Sequence, residues 1–267
     1  MKTRAAVQTS HNEPLIIDYI DTPDPQPHQV RVKMFSSGVC HSQIHHLESP
    51  QFTRPLVVGH EGTGIVTDLG KDVTHVSEGD HVIVTWVTRT PIKGRPQFVT
   101  PGPTYKGEPI HDVICHTWAE DALVNGELVV RISKNDPTDL SCIVGCAVLT
   151  GAGAVINTAQ VRPGDSVAIF GVGGVGLSAL RAASIVEAYP VIAVDLQDDK
   201  LEFAREFGAT HTINPDRDNV DEALAEITDG KLADISVEAS GYPDGLNAAI
   251  RGATKHGKVI IFGIQEG

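Results

Sequence analysis

The sequence contains little cysteine and few aromatic residues. Only 4 of its 267 residues are cysteine, and phenylalanine, tryptophan and tyrosine together make up 5%. The cysteines are irregularly spaced, at Cys40, Cys115, Cys142 and Cys146, and no secretory signal precedes them. We therefore expect reduced thiols or metal ligands in place of a disulfide framework. No apolar run approaches the roughly 20 residues of a membrane-spanning helix, which favours a cytoplasmic protein.

Positive charge is also scarce. The chain carries 21 lysines and arginines against 34 aspartates and glutamates, which gives a formal net charge of -13. Nucleic acids and anionic membranes repel such a protein, so neither is an expected partner. The hydrophobic share of 41% is ordinary for a globular protein, and the length suits one large domain or two modest ones.

The first half of the chain is predicted to be rich in β-structure. Short β-branched runs are separated there by Gly, Pro and Asp turns, at residues 29–34, 64–67 and 81–85. In the first run Val30 and Val32 alternate with Arg31 and Lys33, which predicts a half-buried strand. Residues 88–109 are predicted to form an irregular loop.

The second half is predicted to form a doubly wound parallel sheet, because apolar strands alternate with helical segments. The predicted strands are residues 166–170, 191–195, 211–214, 234–238 and 258–262. The predicted helices are residues 176–187, 198–207, 220–227 and 242–254. The two halves meet near residues 146–153, where a joining helix is predicted.

A glycine-rich segment between a predicted strand and a predicted helix contains Gly171, Val172, Gly173, Gly174, Val175 and Gly176. It fits the G-x-G-x-x-G fingerprint, whose glycines allow a tight turn, the approach of a pyrophosphate and close helix packing. The next predicted strand ends in Asp195, whose carboxylate can accept hydrogen bonds from both adenosine ribose hydroxyls and would repel a 2′-phosphate. NAD is therefore expected in preference to NADP. A glycine turn that binds no nucleotide is the alternative interpretation.

Thiol, hydroxyl and imidazole groups are concentrated in residues 38–45, 59–62 and 145–151. Within these segments Cys40, His60 and Cys146 form a set of two thiols and one imidazole. Three protein ligands leave the fourth position of a zinc ion open, as a catalytic site requires. Taken singly, each residue has a plainer interpretation, since a buried cysteine is often a small core residue and a lone histidine a hydrogen-bonded turn residue.

Together these segments resemble the medium-chain, zinc-containing alcohol dehydrogenase family. The motifs that carry the resemblance are Gly-Val-Cys-His-Ser at 38–42, Gly-His-Glu-Gly-Thr-Gly at 59–64, Gly-Asp-His-Val at 79–82, Gly-Cys at 145–146, Thr-Gly at 150–151 and the glycine segment at 171–176. The resemblance implies an α/β protein with a β-rich, GroES-like catalytic zinc domain at residues 1–147 and an NAD-binding Rossmann domain at residues 148–267. It also implies hydride transfer between an alcohol and NAD, with an aldehyde or ketone as product.

The resemblance assigns residues to the metal side of the reaction. It implies that Cys40, His60 and Cys146 bind one catalytic zinc, and that Glu61 is a nearby carboxylate that can approach the metal. It further implies that Trp86 lines the substrate pocket.

The resemblance also assigns residues to proton transfer and to the cofactor. Ser42 and His45 match a proton relay. His41 matches a residue that contacts the cofactor pyrophosphate, Thr150 one that packs near the nicotinamide, and Lys200 one that helps to hold the adenosine ribose.

The chain departs from the family pattern in two respects. Many members hold a structural zinc with four closely spaced cysteines, but the stretch from Trp86 onward has none before Cys115, so no structural zinc is expected. A substitute site formed by His111, Cys115 and His116 is disfavoured, because structural zinc requires four ligands. The sequence also stops just after its fifth predicted Rossmann strand, so a C-terminal truncation and an exposed edge strand are expected. The full-length family form is expected to be a homo-oligomer.

Three alternatives within this fold stay open. A polyol, amino-alcohol or glutathione-adduct dehydrogenase would carry the same zinc motif, and the sequence does not define the substrate pocket. An inactive truncated remnant is a further alternative, but such a remnant has no reason to retain every reactive group.

Overall fold

The computed structural model describes residues 1–88, 99–112 and 114–264. The chain divides into two compact units, Met1–Cys146 and Ala147–Gly267. The sequence predicts this division between residues 147 and 148.

The N-terminal unit is built mainly of short strands. These are β1 (Lys2–Val7), β2 (Ile16–Asp21), β3 (Gln29–Ser37), β4 (Leu56–Val57), β5 (Gly62–Leu69), β6 (His81–Val84), β7 (Thr104–Tyr105), β8 (Glu108–Pro109), β9 (His111–Asp112), β10 (Asp121–Asn125) and β11 (Val129–Arg131). Its helices are α1 (His41–Glu48) and α2 (Thr138–Ser141), and its 3₁₀ turns are Gly126–Leu128 and Cys142–Gly145.

Five of these strands form an antiparallel sheet in the order β10-β3-β5-β6-β11. Val30 and Val32 of β3 are fully buried in its valine-rich core, as predicted. The predicted alternation is wrong at Arg31, which is also buried. Its guanidinium donates hydrogen bonds of 2.8 Å to Thr22 Oγ1 and to the Pro23 carbonyl. The loop before β3 therefore supplies hydrogen-bond acceptors for the buried guanidinium.

A second sheet, in the order β1-β2-β7-β8, contains a hairpin that sequence reasoning missed. Residues 104–109 were expected to be irregular, yet β7 and β8 pair antiparallel across Lys106 and Gly107. Both turn residues have positive φ angles, 51° and 88°, and such a two-residue turn matches the twist of the flanking strands. Residues 89–98 of the expected loop lie outside the described residues. Strands β4 and β9 form a small parallel pair.

The C-terminal unit alternates strands and helices. Its strands are β12 (Val167–Phe170), β13 (Val191–Val194), β14 (His211–Ile213), β15 (Ala233–Glu238) and β16 (Ala253–Ile261). Its helices are α3 (Ala147–Gly153), continued by a π-helical segment Ala154–Ala159, then α4 (Gly174–Ile185), α5 (Asp198–Glu206), α6 (Val220–Ile227) and α7 (Pro243–Arg251).

These strands form one parallel sheet in the order β14-β13-β12-β15-β16. Successive residues of β12 face opposite sides, since Val167 and Ile169 join one core cluster and Ala168 and Phe170 join the other. Helical residues complete both clusters, so the sheet is covered on both faces and the predicted doubly wound fold is confirmed. The strand order changes direction at β12, and ligands bind such sheets at the carboxyl end of that strand.

Among the described residues, no single helix is long and apolar enough to cross a membrane. Residues 138–145 and 147–159 pass the same test of length and composition only as a bent pair.

Candidate metal centre and dinucleotide site

Cys40, His60 and Cys146 come together within the N-terminal unit. One potential ligand atom from each lies within 4.8 Å of the others, and the two Sγ atoms are 4.0 Å apart. Ligand atoms about 2.0–2.3 Å from a tetrahedral ion lie roughly 3.3–3.8 Å from one another, so a small contraction would let all three bind one ion. No second cluster of at least three such ligands occurs among the described residues.

Hydrogen bonding and tight backbone packing place the first two residues of the cluster. Cys40 lies between β3 and α1, and its N–H donates to Oε1 of the fully buried Gln43 at 2.9 Å. His60 lies between β4 and β5, directly after Gly59, whose φ is +121°. A Cβ atom at Gly59 would lie 2.4 Å from Thr117 Oγ1, so only glycine allows this close approach.

Cys146 is placed by the turn that precedes it. Gly145 ends this 3₁₀ turn so close to β6 that a Cβ atom there would lie 2.3 Å from the Val84 carbonyl oxygen. The hydroxyl of the buried Thr85 donates to the Gly145 carbonyl at 2.6 Å. The third ligand-bearing segment is therefore fixed against the five-stranded sheet.

The donors of the cluster suit a metal ion. His60 Nε2 is buried and has no hydrogen-bond partner among the described residues, an arrangement that is rare unless another group satisfies the atom. The hydrogen bond between the sulfurs lowers the pKa of the Cys40 thiol well below its usual value and, together with burial, raises the pKa of Cys146. A metal ion binds the thiolate form of cysteine, so a bound divalent cation would displace the thiol protons. Two thiols and a neutral imidazole are a donor set that zinc prefers.

Three polar residues of α1 follow Cys40. Ser42 Oγ donates to Cys40 Sγ at 3.3 Å, which places the hydroxyl directly beside the cluster. The rings of His41 and His45 lie one helical turn apart, with centroids separated by 4.9 Å. The predicted relay residues therefore share one short helix with a candidate ligand at its start.

The cluster is flanked by Glu61, the residue directly after His60, and by Trp86, which follows β6. Glu61 is only 2% exposed, and its charge contributes to the raised pKa of Cys146. The ring centroid of Trp86 is 6.4 Å from that of His60, and this tryptophan is 40% exposed. The cluster thus has a buried acidic neighbour and an accessible aromatic one.

The other two cysteines lie outside the cluster. Cys115 and Cys142 are buried, and each Sγ is within hydrogen-bond distance of a backbone carbonyl. His116 Nε2 accepts a hydrogen bond from the Leu123 N–H at 3.2 Å, so this nitrogen already has a backbone partner. The side chain of His111 lies outside the described part of the chain. These contacts favour the structural interpretation of Cys115 and His116.

The glycine-rich segment joins β12 to α4 in the C-terminal unit. Gly171 has a φ of +86°, and a Cβ atom at Gly176 would lie 2.0 Å from the Gly171 carbonyl oxygen. By contrast, a Cβ atom at Gly173 would meet no atom of the described residues within 4 Å apart from its chain neighbours. Gly174 and Val175 begin α4. Gly171 is therefore required by the turn, and Gly176 by the close packing of α4. Gly173 instead faces open space at the N-terminus of α4, where a pyrophosphate binds in such loops.

Asp195 follows β13 and is bonded to the glycine-rich segment. Its Oδ2 accepts a hydrogen bond from the Val172 N–H and its Oδ1 accepts one from the Gln197 N–H, both at 3.0 Å. Thr150 on α3 and Lys200 on α5 are half-buried residues of the same unit.

Sequence reasoning missed two of these supporting contacts. Gln43 holds the backbone N–H of Cys40, and the spacing of three residues between a helix cap and a glutamine is the signal that predicts such a bond. The bond from Asp195 to Val172 has no sequence signal, because it depends on how the ends of two adjacent strands meet.

Comparison with known proteins identifies the family. Residues 26–134 match the alcohol dehydrogenase GroES-like domain, and residues 174–267 match the zinc-binding dehydrogenase family. The chain is 35% identical to S-(hydroxymethyl)glutathione dehydrogenase from Saccharomyces cerevisiae, over 99% of this chain and 76% of that protein. The corresponding Escherichia coli enzyme is 36% identical over 99% and 78% of the two chains.

Solved structures agree with this assignment. An alcohol dehydrogenase zinc-binding domain protein from Burkholderia ambifaria superposes with a TM-score of 0.91 and 32% identity, over 98% of this chain and 76% of that one. Benzyl alcohol dehydrogenase from Acinetobacter calcoaceticus superposes with a TM-score of 0.90 and 30% identity, over 98% and 77% of the two chains. The chain therefore belongs to the medium-chain, zinc-containing alcohol dehydrogenase family of oxidoreductases.

Proposed function

We propose that this protein oxidises a small alcohol to an aldehyde or ketone with NAD, using one zinc ion held by Cys40, His60 and Cys146. The observation that carries the proposal is the convergence of one potential ligand atom from each of the three residues within 4.8 Å, together with a buried His60 Nε2 that has no hydrogen-bond partner among the described residues. Such a set of three ligands is typical of catalytic zinc, since it leaves one position for a substrate.

When bound, zinc supplies a Lewis acid that lowers the pKa of an alcohol hydroxyl, and NAD supplies the hydride acceptor. Ser42 Oγ, beside Cys40 Sγ, is proposed to accept the proton of that hydroxyl. His45, three positions after Ser42 on α1, is proposed to pass the proton toward solvent. Glu61, a buried carboxylate near the cluster, is proposed to place a negative charge close to the metal ligands.

The cofactor is proposed to bind the C-terminal unit at the carboxyl end of β12. Residues 171–176 would receive the pyrophosphate at the N-terminus of α4, and the open space at Gly173 supports this assignment. Asp195 and Lys200 are proposed to hold the adenosine ribose, and Thr150 to lie near the nicotinamide. His41 is proposed as a further contact of the pyrophosphate.

We infer that the protein binds a single zinc ion. A structural zinc site is closed by four ligands, commonly cysteines. The sequence has only two cysteines besides Cys40 and Cys146, and the sulfur atoms of Cys115 and Cys142 each contact a backbone carbonyl.

We propose a neutral alcohol with an apolar group as the substrate class. Trp86 exposes 40% of its surface near His60 and offers an aromatic contact beside the metal ligands. The net charge of -13 disfavours the approach of an anionic substrate. The second candidate is a glutathione adduct, which the identity of 34–36% to S-(hydroxymethyl)glutathione dehydrogenases favours.

An NAD reduction assay distinguishes these candidates. Purified protein with a measured zinc content is offered benzyl alcohol, ethanol, a secondary alcohol, a polyol, and formaldehyde with glutathione, each in parallel with the Cys146→Ala variant. The proposal predicts zinc-dependent turnover that is fastest with benzyl alcohol. Turnover only with formaldehyde plus glutathione would establish the second candidate, and no turnover with any substrate by zinc-loaded protein would contradict both.

A further inference from the structure

Two adjacent residues outside the ligand set contact the loops that carry Cys40 and His60. We propose that Thr117 and Trp118, which lie just before β10, are positioning residues that hold these two loops in register for metal binding. The proposal rests on the zinc site described above, and it concerns residues with no part in the chemistry.

Trp118 bridges the two loops through two different donors. Its indole Nε1–H donates to the Gly38 carbonyl at 3.1 Å, on the segment that leads to Cys40. Its backbone N–H donates to the Val58 carbonyl, also at 3.1 Å, on the segment that leads to His60. A single residue thereby fixes the spacing between two ligand-bearing segments that are distant in sequence.

Thr117 forms a second bridge at the same place. Its Oγ1 lies 3.1 Å from the Glu61 carbonyl oxygen and 2.8 Å from Ser37 Oγ, which itself lies 2.8 Å from the Glu61 carbonyl oxygen. The two hydroxyl protons make two of these three contacts hydrogen bonds: one hydroxyl donates to the other, and the second donates to the Glu61 carbonyl. The Gly38 N–H also donates to the Glu61 carbonyl at 3.2 Å. The segments on either side of the ligands are therefore tied together through Thr117.

Burial and packing make this arrangement rigid. Thr117 is 2% exposed, and the close approach of Gly59 to its hydroxyl leaves no room for a side chain between them. The Trp118 carbonyl accepts a hydrogen bond from the Ala6 N–H at 2.9 Å, which anchors the pair to β1. Hydrogen bonds in a buried network hold their partners more strongly than exposed ones, because water does not compete for the donors.

The consequence is that the ligands are preorganised for the ion. If the two loops were free to separate, the protein would have to order them again each time zinc rebound, and the ion would dissociate faster. Supporting residues around metal ligands typically change metal affinity by about 10- to 100-fold when they are removed. We expect the positions of the two loops that carry Cys40 and His60, and therefore the zinc affinity, to depend on Thr117 and Trp118 in this way.

The test measures zinc release from the purified full chain into a chromogenic chelator. Thr117→Val removes the hydroxyl and keeps the shape, whereas Thr117→Ser keeps the hydroxyl. Trp118→Phe removes the indole N–H and keeps an aromatic ring. We expect zinc release about tenfold faster in Thr117→Val and Trp118→Phe, and near the parent rate in Thr117→Ser. The visible spectrum of the cobalt(II)-substituted protein should shift in the first two variants and not in the third.

Thr3→Val is the matched control, because Thr3 is also 2% exposed and its hydroxyl donates to the side chain of Asp121 and not to a ligand-bearing loop. It should lower the melting temperature without changing zinc release. Equal acceleration in Thr3→Val and Thr117→Val, or parent-like release from Thr117→Val and Trp118→Phe, would overturn the proposal. A parent protein that binds no zinc would instead contradict the zinc site itself. If Thr117→Val does not fold, Trp118→Phe and Thr117→Ser decide the outcome.

Discussion

Asp195 Oδ2 accepts a hydrogen bond of 3.0 Å from the backbone N–H of Val172, which lies inside the glycine-rich segment. The carboxylate proposed to bind ribose therefore also shapes the loop proposed to bind pyrophosphate. A substitution at Asp195 thus has two effects, one on the negative charge and one on the loop. Asp195→Asn keeps an acceptor and removes the charge, whereas Asp195→Ala removes both, so the pair separates the two effects.

The first prediction concerns the choice of cofactor. The parent protein should prefer NAD over NADP by at least about tenfold, since repulsion between a carboxylate and a 2′-phosphate readily exceeds about 1.4 kcal/mol. Asp195→Asn should reduce this preference, and Asp195→Ala should reduce it and also weaken NAD binding. Dissociation constants for both cofactors, measured by calorimetry, check the prediction. Equal affinity of the parent protein for NAD and NADP would show that Asp195 does not contact the ribose.

The sequence predicts the core of the C-terminal sheet well because β12 and β13 are short apolar runs, buried throughout and each followed by a helix. It is wrong at the edge, where β16 begins at Ala253, inside the helix predicted for residues 242–254, and has no fully buried residue. The sequence does not predict the local structure at positions where a contact between distant segments decides the conformation or the burial of a residue. Arg31 is buried because residues 22–23 supply two acceptors, and no property of the strand itself indicates this. The hairpin at residues 104–109 depends on positive φ angles at Lys106 and Gly107, and lysine is not a usual signal for that turn.

The metal cluster shows the same limit. Cys40 and Cys146 are separated by 106 residues, so spacing alone does not pair them, and only the family resemblance predicts the set. Thr117 and Trp118 carry no motif at all. Their contacts with the ligand loops follow from the meeting of three segments in the folded N-terminal unit, which a one-dimensional pattern does not encode.

The second prediction concerns metal content. Replacement of Cys146 by alanine should remove both zinc and activity, because two remaining ligands do not hold a catalytic zinc ion firmly. Cys142→Ala is the matched control, since Cys142 is buried in the preceding 3₁₀ turn and contacts a backbone carbonyl. Elemental analysis should find about one zinc per chain in the parent and in Cys142→Ala, and almost none in Cys146→Ala. Two zinc ions per chain in the parent would contradict the single-site proposal.

The third prediction concerns proton transfer. Ser42→Ala should lower kcat by about 100-fold while the zinc content stays unchanged, because it removes the hydroxyl proposed to accept the substrate proton. Ser42→Thr retains a hydroxyl and should restore most of the activity. The hydroxyl also donates to Cys40 Sγ, so zinc release must be measured beside kcat to separate the two roles. A kcat within threefold of the parent in zinc-loaded Ser42→Ala would argue against the relay.

The fourth prediction separates the structural and the ligand-binding glycines. Gly173 has a φ of -73° and open space where a Cβ atom would lie, so Gly173→Ala should fold with almost unchanged stability. The added methyl group would occupy space that the approaching pyrophosphate needs, and NAD affinity should fall at least tenfold. Gly176→Ala should behave in the opposite way, because its Cβ atom would lie 2.0 Å from the Gly171 carbonyl oxygen and the backbone must shift. Overpacking of this kind typically costs about 1–3 kcal/mol of stability.

Thermal melts without cofactor and calorimetric titration with NAD measure both quantities on the same samples. The expected pattern is a parent-like melting temperature with weak NAD binding for Gly173→Ala, and a lowered melting temperature for Gly176→Ala. A Gly173→Ala variant that binds NAD as tightly as the parent would place the pyrophosphate elsewhere, because the added methyl group would fill the open space beside this residue. Destabilisation of Gly173→Ala without a loss of NAD affinity would not support the assignment, since an alanine at an N-cap typically costs about 1 kcal/mol of stability whether or not a ligand binds.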